Sequence, residues 1–424
     1  MAIKKQELKL KNGLKILSLN NPNSSTSTAL LVVKTGSKYE KKKENGLSHF
    51  LEHLFFKGTK NRPSTLDLSS ELDVLGSEYN AFTSKEYTGY WIKVANDRLA
   101  KALDILADML FNPLFPKEEI EREKGVIIEE IKMYEDNPLM HIEDVFETCL
   151  YGNSPAGWEI IGSKENVMSF NPKIMLDYYK RQYGAKSMTL ILSGNILQKD
   201  LNIAKELFSK AKSNPWQDKL KVIENQKKPK ILTKHKKIDQ ANLSLGVRAF
   251  AVDHKNEMET KLISLILGGS MSSRLFINLR ERNALAYYIK TTYEQYSDSG
   301  YLTSQAGVPV NKLKEAIKII IDEYKLIADK GVSEKELKKT KDMILGRLKL
   351  RLESSDDLAN YYARQTIMRK KIFSPEDYIK KLEKVNINKL NKVAKDLFSQ
   401  PLNLALIANI NKKKEDEYLK LLNS

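Results

Sequence analysis

The chain lacks the residues that build a disulfide framework, and it lacks long apolar runs. Its 424 residues include one cysteine, Cys149, which cannot form a disulfide within a single chain. No apolar run approaches the roughly 20 residues of a membrane-spanning helix. The start, MAIKKQELKLKNGLKIL, has no continuous apolar core of a secretory signal. These absences exclude a disulfide-stapled secreted scaffold and predict a cytoplasmic protein without a membrane partner.

Positive charge is present in excess. The chain has 71 lysines and arginines against 54 aspartates and glutamates, a net charge of +17. Such a balance raises the hypothesis of a nucleic-acid-binding protein. The basic residues, however, are spread through mixed-charge stretches such as NKLKEAIKIIIDEYKLIADKGVSEKELKKTKD, and no nucleic-acid-binding motif accompanies them. We interpret the charge as a solvated surface and predict no nucleic-acid partner.

The two halves of the chain resemble each other. The length predicts two domains of roughly 200 residues each. MTLILSGNI begins at residue 188 and LNLALIANI at residue 402, about 214 residues later. STALLVVKTGSKYEKK and QANLSLGVRAFAVDHK, from Ser27 and Gln240, pair at nearly the same separation. A repeat this long indicates duplicated domains, which we place at 1–212 and 231–424, with the polar, lysine-rich segment 213–230 as linker.

The order of patterns is also similar in the two halves. Alternating strand-like segments come first, long amphipathic helical segments follow, and a short apolar strand closes each half. This order predicts an α+β fold in which each domain has a largely antiparallel sheet flanked by helices. The pattern does not determine the order of the strands.

The strongest chemical signal is His49-Phe-Leu-Glu52-His53 within GLSHFLEHLFFKGT. The apolar residues around it predict a buried helix, on which residues four apart share one face. His49 and His53 can therefore bind one ion, and Glu52 can reach a water molecule on it. Catalytic zinc takes three protein ligands and lowers the pKa of bound water from 15.7 to about 7. The other three histidines have no such neighbours: His141, His235 and His254.

A third ligand is expected on the helix EREKGVIIEEIKMYED. Glu123 and Glu130 are seven residues apart and share a face, whereas Glu129 is rotated away from it. Apolar neighbours indicate that this helix is partly buried, and a buried carboxylate needs a partner such as a metal or a ligating histidine. An ordinary solvated face is the alternative for these carboxylates.

The H-x-x-E-H signature is typical of inverted zinc peptidases, and the whole chain resembles the family of pitrilysin, insulysin and mitochondrial processing peptidase. The resemblance implies Glu130 as the third ligand, since it stands 77 residues after His53. It also implies Glu52 as general base and Glu123 as a supporting acidic residue in the catalytic site. The fold it implies is two domains forming half of a clamshell.

The resemblance extends to two substrate elements. LGSEYNAFTSKEYTGYW is similar to the family's Asn-Ala-x-Thr segment, which implies that Asn80 and Ala81 bind substrate from an edge strand. SSRLFINLRERNALAYYI is similar to the family's Arg and Tyr element, which implies that Arg280 and Tyr287 reach the substrate carbonyl. Gly76-Ser77 and Pro155-Ala156-Gly157-Trp158 depart from the family pattern without touching the ligands.

The leading hypothesis is a zinc endopeptidase with one Zn²⁺ per chain, which hydrolyses unfolded peptides or presequence-like segments inside a closed chamber. The alternative is a non-catalytic scaffold subunit of the same fold. Short members of the family pair two chains. Because this chain carries both the metal residues and the Arg/Tyr element, the resemblance favours a homodimer.

Overall fold

The computed structural model describes residues 3–423, which form two compact units built from non-contiguous segments. The first unit contains the residues up to Lys132 together with 159–220 and 349–372. The second contains 133–158, 221–348 and the residues from 373 onward. The predicted domains, 1–212 and 231–424, are contiguous stretches of the sequence, and their boundaries stay a prediction.

Each unit has one β-sheet. The strands are β1 (Lys4–Lys9), β2 (Lys15–Asn20), β3 (Thr26–Val33), β4 (Glu78–Thr83), β5 (Thr88–Ala95), β6 (Met188–Gly194), β7 (Lys230–His235), β8 (Gln240–Arg248), β9 (Tyr288–Gln295), β10 (Gly300–Pro309) and β11 (Asn403–Ala408). The first sheet has the order β1-β2-β6-β3-β5-β4, and the second has the order β7-β11-β8-β10-β9.

The two sheets share a topology. β2 runs parallel to β6, and β7 runs parallel to β11, while the other neighbours are antiparallel. The order β2-β6-β3-β5-β4 thus recurs as β7-β11-β8-β10-β9, and β1 is an additional edge strand of the first sheet. β6 and β11 are formed by the two similar segments that end the halves of the sequence. The predicted α+β class with two similar domains is confirmed.

The helices flank the sheets. They are α1 (Leu47–Leu54), α2 (Thr65–Val74), α3 (Leu99–Phe111), α4 (Lys117–Asp136), α5 (Pro138–Tyr151), α6 (Lys164–Ser169), α7 (Pro172–Gln182), α8 (Gln198–Phe208), α9 (Glu257–Gly268), α10 (Leu313–Lys330), α11 (Glu334–Arg351), α12 (Ser355–Met368), α13 (Pro375–Glu383), α14 (Ile387–Phe398) and α15 (Lys412–Leu422). No helix within residues 3–423 is long and apolar enough to cross a membrane.

One helix from each half of the sequence packs on the sheet formed by strands of the other half. α12 lies late in the chain, yet Leu358, Ala359 and Tyr362 are buried against residues of the first sheet such as Leu30. α5 lies early in the chain, yet Phe146 is buried in the core of the second unit. Each sheet thereby has one of its apolar faces covered, which removes that surface from water.

Candidate metal centre

The predicted metal-binding motif lies on α1, a short buried helix in the first unit. Gly46 precedes it with φ 105°, a left-handed conformation that glycine adopts without strain. Leu47, Phe50, Leu51 and Leu54 are fully buried, so one side of the helix is anchored in the core. His49 and His53 face the other way, one turn apart, with ring centroids 4.8 Å from each other.

Glu130 on α4 faces both histidines. Its Oε1 lies 3.7 Å from Nε2 of His49, and its Oε2 lies 3.6 Å from Nε2 of His53. These distances are too long for good hydrogen bonds. Zinc bonds of about 2.0–2.2 Å in a tetrahedral site place neighbouring donor atoms about 3.4 Å apart. Candidate ligand atoms of the three residues lie within 4.8 Å of one another, so the donors and their spacing fit Zn²⁺.

Glu123 orients the second histidine. Its Oε2 is 3.0 Å from Nδ1 of His53 and accepts the ring proton, while its Oε1 accepts from Nζ of Lys57 at 2.7 Å. A proton on Nδ1 leaves the Nε2 lone pair directed toward Glu130. This is the arrangement in which a carboxylate sets the tautomer of a metal-binding histidine.

The charges around the histidines favour a cation. Burial alone would raise the pKa of Glu123, but the hydrogen bonds from His53 and Lys57 outweigh it and lower that pKa. The facing imidazole of His49 is the main cause that lowers the pKa of Glu130. Burial lowers the pKa of His53, yet its hydrogen bond to Glu123 and the nearby carboxylates raise it overall. Both carboxylates are therefore ionised at neutral pH, and they stabilise positive charge at this site.

Glu52 lies on α1 between the two histidines. Its Oε2 accepts a hydrogen bond of 2.5 Å from Oγ1 of Thr83, the last residue of β4. A hydrogen bond of this kind restricts the carboxylate to one orientation while leaving the second oxygen available. Glu52 is thereby held at the end of an edge strand, beside the histidine pair.

β4 is the edge of the first sheet, since β5 is its one neighbour there. The backbone N–H of Ala81 donates to Oδ1 of Asn80 at 2.8 Å. Tyr79 stacks on Phe56, and Thr83 contacts Glu52, so every second residue of β4 faces the α1 side. An edge strand with unpaired backbone groups can accept an extended peptide.

Arg280 and Tyr287 belong to the second unit. Arg280 lies in a π-helical segment, Phe276–Arg282, and its Nη1 donates to the backbone oxygen of Tyr287 at 3.0 Å. The Tyr287 side chain is 78% exposed. The structure brings these two residues together. Their role toward a substrate stays a prediction.

Sequence reasoning missed Lys57 and Thr83. Thr83 is the threonine of the Asn-Ala-x-Thr segment, so that motif carried a signal for it. Lys57 follows α1 and pairs with a glutamate 66 residues later in the chain, and no local pattern indicates such a contact.

Comparison with known families assigns most of the chain. Residues 15–164 match the family described as Insulinase (Peptidase family M16), and residues 169–344 match the family described as Peptidase M16 inactive domain. The metal-site residues all fall within the first match, and Arg280 and Tyr287 fall within the second.

Similar proteins match over nearly their full length. YmxG of Bacillus subtilis, named an uncharacterized zinc protease, is 35% identical over 94% of this chain and 96% of its own. A zinc protease of Rickettsia felis, also named uncharacterized, is 32% identical with the same coverage. Among solved structures, a Helicobacter pylori protease has a TM-score of 0.87 at 24% identity, covering 96% of this chain and 100% of that one. A peptidase M16 inactive domain from Pseudomonas fluorescens has a TM-score of 0.89 at 16% identity, covering 96% and 99%, and shares the fold.

Proposed function

The chain belongs to the insulinase family of peptidases, family M16, and on that basis we propose that it is a zinc-dependent endopeptidase. Its substrates would be unfolded peptides or presequence-like segments, cleaved in a closed chamber with one Zn²⁺ per chain. The observation that carries the proposal is the group of His49, His53 and Glu130, with Glu52 held beside the two histidines. The single cysteine, Cys149, is buried and forms no disulfide, which is consistent with the proposed cytoplasmic location.

The protein groups divide the chemistry between them. His49, His53 and Glu130 would hold Zn²⁺, which lowers the pKa of a bound water to about 7. Glu52, one residue before His53, would take a proton from the attacking water and deliver it to the leaving amine. Thr83 would keep the Glu52 carboxylate oriented for both transfers, because it donates to one of the two oxygens.

Substrate would bind as an added strand. The open edge of β4 offers backbone groups at Tyr79, Ala81 and Thr83, and Thr83 already contacts the general base. A peptide paired with this edge would run past Glu52 in extended form. The side chain of Asn80 accepts the hydrogen bond of the Ala81 N–H. In this proposal the Asn80 side chain moves aside and contacts the incoming peptide.

Arg280 and Tyr287 would complete the site by donating to the substrate carbonyl as negative charge develops on its oxygen. We propose that these two residues come from the second chain of a homodimer. The high exposure of Tyr287 supports a contact outside its own unit.

The activity is tested with Glu52→Gln and His53→Ala. Glu52→Gln should keep its zinc and cleave a mixed peptide library at least about 100-fold more slowly, since the base is lost and the ligands remain. His53→Ala should lose zinc and cleavage together. Cleavage by Glu52→Gln at the wild-type rate would contradict the mechanism, and wild-type protein without zinc would favour the non-catalytic scaffold.

Complementation tests the shared site. Glu52→Gln chains and Arg280→Ala chains are mixed under conditions that exchange subunits. In a mixed dimer one site has both defects, and the other combines intact Glu52 with intact Arg280 from the partner chain. Activity should therefore rise well above that of either parent. No rise despite verified exchange would refute the shared site while leaving the metal chemistry intact.

A further inference from the structure

The N-terminus of α1 is held by a carboxylate from outside the helix. Glu40 is 3% exposed. Its Oε1 accepts the backbone N–H of Ser48 at 2.7 Å. Its Oε2 accepts the backbone N–H of Gly46 at 2.9 Å and the side-chain amide of Asn45 at 3.1 Å. Three N–H donors thus surround a buried carboxylate that lies seven residues before the first residue of the helix, and each carboxylate oxygen has a donor.

The helix needs an acceptor from elsewhere because its own N-cap residue has no side chain that could accept a hydrogen bond. The first N–H groups of a helix lack partners within the helix, and a Ser, Thr, Asp or Asn side chain usually binds them. Here the cap is Gly46, in the left-handed conformation. A Cβ at this position would lie 2.8 Å from the backbone oxygen of Ile161, so a side chain does not fit. Glu40 takes the place of the missing cap.

This anchor is adjacent to a metal ligand. Ser48 precedes His49, and its hydroxyl also lies 2.7 Å from the buried hydroxyl of Tyr178. α1 is only eight residues long and contains His49 in its first turn. Short helices fray at their ends. Loss of the anchor would therefore let the backbone beside His49 move, while His53 in the last turn keeps its separate contact with Glu123.

We propose that Glu40 is a positioning residue of the metal centre: its buried carboxylate holds the start of α1 and thereby aims His49 at the site shared with His53 and Glu130. Glu40 is not a ligand, since both oxygens accept from α1 and the two residues before it. The inference rests on the proposed zinc site and assigns a residue that the metal-binding motif does not include.

The test compares Glu40→Gln with a matched control, Asp200→Asn. Asp200 is also buried, at 2% exposure, and it accepts the backbone N–H of Leu197 at 2.9 Å at the start of α8. α8 carries none of the proposed ligands. Both changes replace a buried carboxylate at a helix start by its amide. At Glu40 both oxygens accept, so the amide puts its NH₂ group against an N–H donor.

Zinc affinity is measured by competition with a chromophoric chelator, and the visible absorption of bound Co²⁺ reports the geometry of the site. Groups that orient ligands commonly change metal affinity by about 10–100-fold. For Glu40→Gln we expect zinc affinity to fall by about 10–100-fold and the Co²⁺ spectrum to change. We expect Asp200→Asn to stay within about twofold of wild type, as distant sites act independently.

Wild-type affinity and spectrum in a folded Glu40→Gln protein would overturn the inference, as would equal losses in both variants. If Glu40→Gln does not fold, Glu40→Asp replaces it. Asp keeps the charge but shortens the reach, so its zinc affinity should still fall, and an unchanged affinity would overturn the inference. Wild-type protein that binds no zinc would instead refute the proposed function, so the two failures are distinguishable.

Discussion

Replacing Glu130 by glutamine is the sharpest test of the ligand set. The change keeps the volume and removes one negative charge and one ligand oxygen. In the metal-free protein it should cost little stability, because the two histidine nitrogens lie 3.6 and 3.7 Å from the carboxylate, beyond good hydrogen bonds. Zinc binding is different, since the carboxylate is one of three proposed ligands.

The size of the effect can be bounded. Residues that only orient a ligand cost about 10–100-fold in affinity, and Glu123 is such a residue. Loss of a direct ligand should exceed this range. We therefore expect Glu130→Gln to weaken zinc binding more than about 100-fold, which is more than about 2.8 kcal/mol at 1.4 kcal/mol per tenfold. Glu123→Gln should fall in the 10–100-fold range.

The matched control is one residue away. Glu129 is 71% exposed and pairs with exposed Lys132 at 2.6 Å, whereas Glu130 is 22% exposed. Glu129→Gln makes the same chemical change on the other side of α4 and should leave zinc affinity unchanged. Chelator competition measures the affinity of each variant, and thermal unfolding of the metal-free proteins checks their folding. Equal losses for Glu129→Gln and Glu130→Gln would refute this choice of ligand.

Three further predictions concern other contacts. Lys57→Met should lower the free energy of unfolding of the metal-free protein by about 2–4 kcal/mol in urea, because Oε1 of buried Glu123 loses its charged donor and only Oε2 keeps its contact, with His53. The control Lys132→Met breaks an exposed ion pair and should lower the free energy of unfolding by under about 1 kcal/mol. Equal decreases for the two variants would contradict the predicted effect of burial. Thr83→Val should lower kcat about tenfold at unchanged zinc affinity, since one hydrogen bond to Glu52, the proposed general base, is lost; an unchanged kcat would count against this role of Thr83. Burial alone would raise the pKa of Glu336, but Arg274 and Ser333 lower it to about 2. Its stabilising effect should therefore be complete above about pH 4.5 and disappear as the pH falls to about 2. The free energy of unfolding of Glu336→Gln should depend less on pH between about 2 and 4.5 than that of the wild type. An equal dependence would show that the ion pair of Glu336 with Arg274 does not contribute.

Local patterns predict much of this protein. The spacing of His49, Glu52 and His53 depends on helical periodicity alone, and the structure places the two imidazoles side by side on α1. The same periodicity separates Glu130 from Glu129 on α4. In the sequence, only resemblance to a known family links the two helices. No periodicity states which of two helices 77 residues apart come together.

The duplicated halves were predictable, because similar segments recur at one long spacing and form equivalent strands in two sheets. The exchange of helices was not. α5 and α12 are amphipathic, and an apolar face in the sequence indicates that a helix packs without indicating against which sheet. That choice depends on the path of the whole chain, which places α12 on the first sheet and α5 on the second.

The sequence alone therefore determines the histidine pair and Glu52, since residue type and helical spacing are local properties, and resemblance to a known family adds Glu130 as the proposed third ligand. The tertiary structure decides how those donors are held. Glu123 sets the tautomer of His53, Thr83 orients Glu52, and Glu40 holds the start of α1. Each of these contacts joins residues from different segments of the chain. Each hydrogen bond is buried or partly buried. Folding brings them together because burying polar groups without hydrogen-bond partners would cost more than the protein's small net stability allows.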